Sequence, residues 1–378
     1  MIHLYPFVPR GRHGGTIRLC SALAGSSRVA PTELYYFDPS SAGWLKPRAG
    51  AELDHLLNAP PGEPLNATPG IKRRLFPSTL WESGRRARGA LESLLARPGW
   101  LNGARMVLHT SYLAPAAARF RARGAPTLVD VYDLVWRAHA NDAADGPAAM
   151  RPARRAYAAS VRPRELRGLR RADRLVVAGH ADLGALGNEV RSAAWIPTSS
   201  RIDAASVAPR RASGLKTLRV GFLGHFAHEP TRISAEALLA SPLAAADDVQ
   251  LVIAGGGSRS AIGHRGGAEI LGEVSRSEDF YSCIDVVVAP VLGSSGIKTK
   301  LAEAVLAGRP AVTTPRGAEG FSPELRRHLL VRPLSEIRAD QIREYATAWD
   351  ADVATADFER ISGWDTAITA YARAVEAL

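Results

Sequence analysis

Lysine is scarce in this chain. Of 48 Lys and Arg residues only Lys46, Lys72, Lys216, Lys298 and Lys300 are Lys. Two of the five lie in one segment, Gly293-Ser-Ser-Gly-Ile-Lys-Thr-Lys-Leu-Ala-Glu303, where a Gly/Ser loop feeds a helical pattern. An ammonium is a compact point charge suited to phosphate. Gly293, Ser294, Ser295 and Gly296 let the backbone approach a diphosphate closely, and the helix amino terminus entered through Ile297 and Thr299 adds a partial positive charge. Lys300 and Glu303 stand three apart on one helix face, so the amine can meet phosphate while the carboxylate accepts from ribose hydroxyls. An exposed helical ion pair is the alternative for the same spacing.

The remaining candidate groups follow apolar runs. Gly224-His-Phe-Ala-His228 follows Leu218–Leu223 and offers Gly224 and the next amides as a phosphate seat; His225 and His228 read equally well as surface histidines. Leu271-Gly-Glu-Val274 follows a further run, and Gly255-Gly-Gly257 reads as a tight turn. In the first half, Gly14 and Gly15 close a loop, residues 9–15, that enters a helix from Thr16, a weak anion seat. Val129-Asp-Val-Tyr-Asp133 places Asp133 at a strand end, facing substrate, and Asp130 inside the strand, as a polar site group or a loop cross-link. Asp350-Ala-Asp352 has carboxylate spacing but lies between tail helices, and no metal is expected. Cys20 and Cys283 read as free thiols.

These groups need a scaffold, and strand runs alternating with helical stretches supply it. In the first half the runs are residues 2–8, 105–110, 127–133 and 174–178; in the second they are 218–223, 249–254, 268–271, 286–289 and 311–314. Such alternation predicts parallel sheets with helices on both faces. The 378 residues suit two domains of similar size. We divide them into an amino-terminal Rossmann-like domain over 1–201, a polar linker over 202–216, a second Rossmann-like domain over 217–350, and a carboxyl-terminal helix over 351–378 whose apolar stripe is Trp364, Ala367, Ile368, Tyr371 and Val375.

Charge is uneven. Residues 1–200 hold 28 Lys and Arg against 15 Asp and Glu, whereas the rest is slightly acidic. Clusters at 72–74, 85–88 and 151–171 point to an anionic acceptor or an anionic membrane surface, unless the Arg excess reflects genome composition. No basic motif interleaved with aromatic residues argues for nucleic acid. No apolar run is long enough to span a bilayer and no signal-peptide pattern opens the chain, so a cytoplasmic protein is expected, with peripheral membrane contact as the second location.

Taken together, Val220-Gly-Phe-Leu-Gly-His-Phe-Ala-His-Glu-Pro230, Ile270-Leu-Gly-Glu-Val274, Gly296-Ile-Lys-Thr-Lys-Leu-Ala-Glu-Ala304 and Pro315-Arg-Gly-Ala-Glu-Gly-Phe321 resemble the nucleotide-sugar domain of retaining family-4 glycosyltransferases. The resemblance implies the GT-B fold: two facing doubly wound α/β domains with a carboxyl-terminal helix crossing back to the first. It further implies that Glu303 contacts the donor ribose, that the backbone of Leu271–Val274 frames the base, and that the interdomain cleft closes about the linker. The family's first paired Glu is replaced by Ser295, and the Arg and Lys that many relatives carry after the domain's first strand are replaced by Gly224–His228. The loop and Lys298 or Lys300 would then hold the diphosphate. Where many relatives carry a sugar-facing His, this chain has Asp130-Val-Tyr-Asp133. The implied activity is transfer of a sugar from a nucleoside-diphosphate sugar to a soluble or lipid-linked acceptor, with retention, without metal and with no cofactor beyond the donor. The alternatives are an epimerase or a coupling enzyme with a non-sugar acceptor, or a catalytically inactive binding subunit.

Overall fold

The computed structural model describes residues 1–6, 9, 14–38, 41, 43–47, 86–145, 148–209, 217–263, 267–293 and 295–378. Ser294, the basic residues 72–74 and 85, and the linker core 210–216 lie outside the described residues.

The chain forms two compact units, Met1–Thr198 with Asp365–Leu378, and Ser199–Trp364. The stretch 351–378 is two helices rather than one. Ala351–Ser362 ends at Gly363, where an added Cβ would stand 2.3 Å from the Glu359 carbonyl oxygen, and Trp364–Glu376 then runs into the first unit.

The first unit is built on β1 (Ile2–Tyr5), β2 (Glu33–Asp38), β3 (Gly43–Leu45), β4 (Met106–His109), β5 (Thr127–Val131), β6 (Arg174–Val177) and β7 (Ala193–Trp195). Their order is β3-β2-β1-β4-β5-β6-β7, parallel except for β3 against β2. Apolar runs form these strands because both faces are covered. Val107, Leu128 and Val176 pack with Ala367, Tyr371 and Val375 of the final helix, whereas Leu108, Val129 and Leu175 point into the opposite core. Helix Gly14–Ser27 lies close to the final helix. A Cβ on Gly25 would meet the Ile368 carbonyl oxygen at 2.6 Å and Tyr371 Cβ at 2.7 Å, so only glycine fits there. That helix begins at Gly14, so Gly14 and Gly15 occupy its first turn rather than a loop; first-turn amides need no partner four residues back, which lets glycine stand there. Strand β1 ends at Tyr5, short of the expected Val8, and residues 7 and 8 lie outside the described residues.

The second unit uses β8 (Leu218–Leu223), β9 (Val249–Ala254), β10 (Glu269–Gly272), β11 (Val286–Ala289), β12 (Ala311–Thr313) and β13 (Leu329–Val331). All are parallel, ordered β10-β9-β8-β11-β12-β13. Strand order reverses between β1 and β4 in the first unit and between β8 and β11 in the second. In open parallel sheets, ligands bind outside the carboxyl ends of the strands at such reversals.

Candidate functional site

At the second reversal the structure gathers several groups that are distant in sequence. Lys300 and Glu303 are both half-buried on helix Thr299–Leu306, which follows β11. Gly224 ends β8, and a Cβ there would lie 2.5 Å from Thr231 Cγ2 and 3.1 Å from Lys300 Nζ. The Gly224 amide donates to the Ala254 carbonyl at 3.1 Å. Gly224 therefore offers the site no free donor; its lack of a side chain lets Thr231 and the Lys300 ammonium close onto its backbone.

Lys300 Nζ sits 4.4 Å from the centroid of the Phe222 ring, a cation–π contact that holds the charge on the site side of the strand. Burial lowers Lys300 to about 8; neighbouring Lys298 lowers it further and Glu303 opposes both. Burial raises Glu303 to about 7, against the Tyr281 hydrogen bond and the charge of Lys300. The Tyr281 hydroxyl donates to Glu303 Oε2 at 3.3 Å and lies 3.4 Å from the Lys300 carbonyl oxygen. Desolvating two groups of opposite sign without neutralising either stores free energy that an anionic ligand with hydroxyls can release.

The loop ahead of the helix is shaped by glycine. Gly293 and Gly296 adopt φ of 76° and 70°, and Gly320 packs so tightly that an added Cβ would stand 2.5 Å from Ile297 Cα. Ser295 is buried, and the Lys298 ammonium folds back to donate to its carbonyl oxygen. Lys298 thus braces the loop, while Lys300 stands against Gly224. Ile297 and Thr299 are half-buried on either side.

Across the sheet, Gly255 adopts φ of 120° and approaches Gly224 so closely that a Cβ would lie 1.9 Å from the Gly224 carbonyl oxygen. His225 is half-buried, its Nδ1 3.0 Å from the Cβ position of Gly256, whereas His228 is exposed beside Thr231. At the end of β10 the Leu271 carbonyl accepts from Arg259 Nη2 at 2.8 Å and the Gly272 carbonyl from the Gly255 amide at 2.7 Å. Both carbonyls of this base-framing candidate are engaged; exposed Glu273 and half-buried Val274 follow them.

In the first unit, Asp130 is wholly buried. Its Oδ1 accepts from Arg18 Nε at 2.8 Å and Nη2 at 2.6 Å; its Oδ2 accepts from the Tyr371 hydroxyl at 2.9 Å and lies 3.2 Å from His109 Nδ1. Burial raises its pKa, but the charge of Arg18 and the His109 hydrogen bond outweigh that and leave Asp130 below the usual carboxylate range. Of its two expected roles the structure shows the cross-link. His109 Nε2 continues to His3 Nδ1 at 2.9 Å, and His3 Nε2 to Ser26 Oγ at 2.9 Å. Asp133 is exposed at the end of β5. Asp350, one of the spaced tail carboxylates, caps helix Ala351–Ser362 by accepting from the Val353 amide at 3.0 Å.

Phe222, Thr231, Tyr281 and Gly255 were not among the expected site residues. Phe222 could have been found by strand periodicity, since it shares a face with Gly224. Tyr281 reaches Glu303 across 22 residues, and no local pattern marks it.

Two sheets of this topology, with the final helix returning to the first unit, define the GT-B fold of glycosyltransferases. Residues 217–347, which fall within the second unit, match the family model described as glycosyl transferases group 1. Solved structures agree in fold across the chain. A sucrose-phosphate synthase from Thermosynechococcus elongatus aligns over 99% of this chain and 94% of its own at 15% identity and a TM-score of 0.59. Anabaena HepE in complex with UDP-glucose aligns over 100% of both chains at 14% identity and 0.58. The trehalose-6-phosphate synthase OtsA covers 100% of this chain and 98% of its own at 13% and 0.58. No curated protein matches the sequence.

Proposed function

We propose that the chain transfers a glycosyl group from a nucleoside-diphosphate sugar to an acceptor, with retention and without a metal. The observation that carries this reading is the Lys300 ammonium packed against Gly224, at the strand-order reversal of the matched segment, with Glu303 on the same helix face. Lys300 and the amino terminus of helix Thr299–Leu306 would stabilise charge growing on the departing diphosphate, and Glu303 would accept from the ribose hydroxyls. Lys298 holds the loop in shape. HepE was solved with UDP-glucose, which makes that donor the first to test.

UDP is expected to raise the melting temperature in the presence of EDTA, because cations and helix amino termini carry the charge that a metal would otherwise neutralise. Strict dependence of binding and turnover on Mg²⁺ would sink the metal-free part. Absence of any shift with UDP, GDP or ADP would sink the donor site.

The acceptor belongs to the first unit in this reading, either as a soluble small molecule or lipid-linked. Helix Arg151–Leu169 and the two residues after it expose Arg151, Arg155, Arg162, Arg164, Arg167, Arg170 and Arg171. The helix's one acid, Glu165, is buried and accepts from the Val135 and Trp136 amides at 3.0 Å. Glu189 pairs with Arg162 and Arg170 and leaves the face strongly positive. At about 1 kcal/mol per basic residue near an anionic surface, this face predicts sedimentation with anionic vesicles, but not neutral ones, that is lost at high salt. Equal recovery with both vesicle types would leave the soluble acceptor.

A further inference from the structure

We infer that Thr110 forms part of a second ligand site, on the first unit, that takes a neutral polyhydroxylated molecule; the assignment of that molecule as acceptor rests on the transfer proposed above. Strand order in this unit reverses between β1 and β4, and Thr110 is the residue immediately after β4. It departs from ordinary structure in two independent ways.

First, its backbone lies at φ 71°, ψ 149°, close to a region that is essentially glycine's alone, and among the described residues it is the one non-glycine with positive φ. A β-branched side chain makes that conformation worse. The strain is imposed from both sides. The Thr110 amide donates to the Asp130 carbonyl at 2.7 Å, and Ser111 opens the 3-10 helix Ser111–Ala116.

Second, the side chain is 5% exposed, yet Oγ1 has no hydrogen-bond partner among the described residues. A buried hydroxyl without a partner is costly and rare. Glycine at this position would relax the backbone and remove the orphaned oxygen. The threonine therefore weakens the fold twice, and the fold itself draws nothing from its hydroxyl. Strained, unsatisfied residues persist where a ligand completes them.

The surroundings set the ligand class. Neighbouring His109 and Asp130 spend their hydrogen bonds on each other, Arg18, His3 and Tyr371 and do not compete for Oγ1. At the adjoining end of β5, Tyr132 is half-buried with its hydroxyl 3.1 Å from His109 Nδ1, and Asp133 is exposed with its carbonyl 3.5 Å from Ser111 Oγ. A threonine hydroxyl both donates and accepts, as a sugar hydroxyl does, and a nearby carboxylate disfavours an anion.

The test is saturation-transfer NMR on the full chain with D-glucose, D-mannose and myo-inositol, each with and without saturating UDP. At least one polyol is expected to bind saturably. Thr110→Ser should hold it within about threefold, Thr110→Val should weaken it at least tenfold, and Thr110→Gly should lose it while melting at a higher temperature. Binding of none of the three polyols, wild-type affinity in Thr110→Val, or a lower melting temperature in Thr110→Gly would each overturn the assignment. UDP binding, which belongs to the second unit, is expected unchanged in every variant. Its absence from the wild-type protein would count against the donor site and leave the polyol result standing.

Discussion

Lys300→Met is expected to cut turnover with a nucleotide-sugar donor by about a hundredfold or more and, at neutral pH, to stabilise the free protein. The first effect follows from removing one preorganised cation at a departing diphosphate, typically about 3 to 4 kcal/mol of barrier lowering. The second follows from linkage. The ammonium titrates near 8 in the fold instead of the ordinary 10.5, so the fold disfavours its charged form by about 3 kcal/mol at about 1.4 kcal/mol per pH unit. That cost is fully present below pH 8 and is relieved as the pH rises towards 10.5, where the unfolded chain also loses the proton. Methionine keeps most of the packing over Phe222 and gives up a cation–π contact of about 1 kcal/mol, which leaves a net gain of about 2 kcal/mol. For a unit of this size that is a rise of several degrees in melting temperature. Calorimetry and steady-state kinetics on one preparation check both effects. A variant that is less stable and fully active would make Lys300 a partner in a surface ion pair.

Donor binding should be tightest between about pH 7 and 8 and fall on both sides. Below about 7 the Glu303 carboxyl takes up a proton and no longer accepts from two ribose hydroxyls as a carboxylate; above about 8 Lys300 loses the charge that holds phosphate. UDP-glucose is the right probe, since its phosphates are diesters and do not titrate in this range. Glu303→Gln is expected to weaken binding by about tenfold at pH 7.5 and to abolish the acid limb alone, whereas Lys300→Met abolishes the alkaline limb. Titration calorimetry from pH 5.5 to 9.5 separates the two. A flat profile in the wild-type protein would remove Lys300 and Glu303 from the donor site.

The fold was legible where a strand is a mainly apolar run. Leu218–Leu223, Val249–Ala254 and Val286–Ala289 are runs that turns or polar residues bracket, and their boundaries match the sequence reading. Short or polar-ended strands were not. Gly43–Leu45 and Leu329–Val331 are three residues long, too short for a periodic pattern, and Glu33–Asp38 has two tyrosines and acidic ends that blur alternation. In the site, the rarity of lysine singled out Lys298 and Lys300, and helical spacing joined Glu303 to them. What local pattern could not supply is the partner from another strand: Phe222 beneath Lys300, or Arg18 against Asp130 across 112 residues. The loop after β4 was equally silent, because nothing in His109-Thr-Ser111 announces a left-handed backbone.

The closure of Asp130's network by Tyr371 bears on the order in which a ribosome delivers this protein. The first unit is encoded over residues 1–198, yet its sheet is covered on one face by a helix that ends at Glu376, and its buried carboxylate receives one of its hydrogen bonds from that helix. Until the codons for the helix Trp364–Glu376 are read, a nascent first unit exposes Val107, Leu128 and Val176 to solvent and lacks one donor to Asp130. The second unit, although translated later, has every segment it needs once Trp364 has emerged. Synthesis at about 5 to 20 residues per second therefore completes the later-encoded unit first, and the earlier one waits, partly covered, for its closing helix.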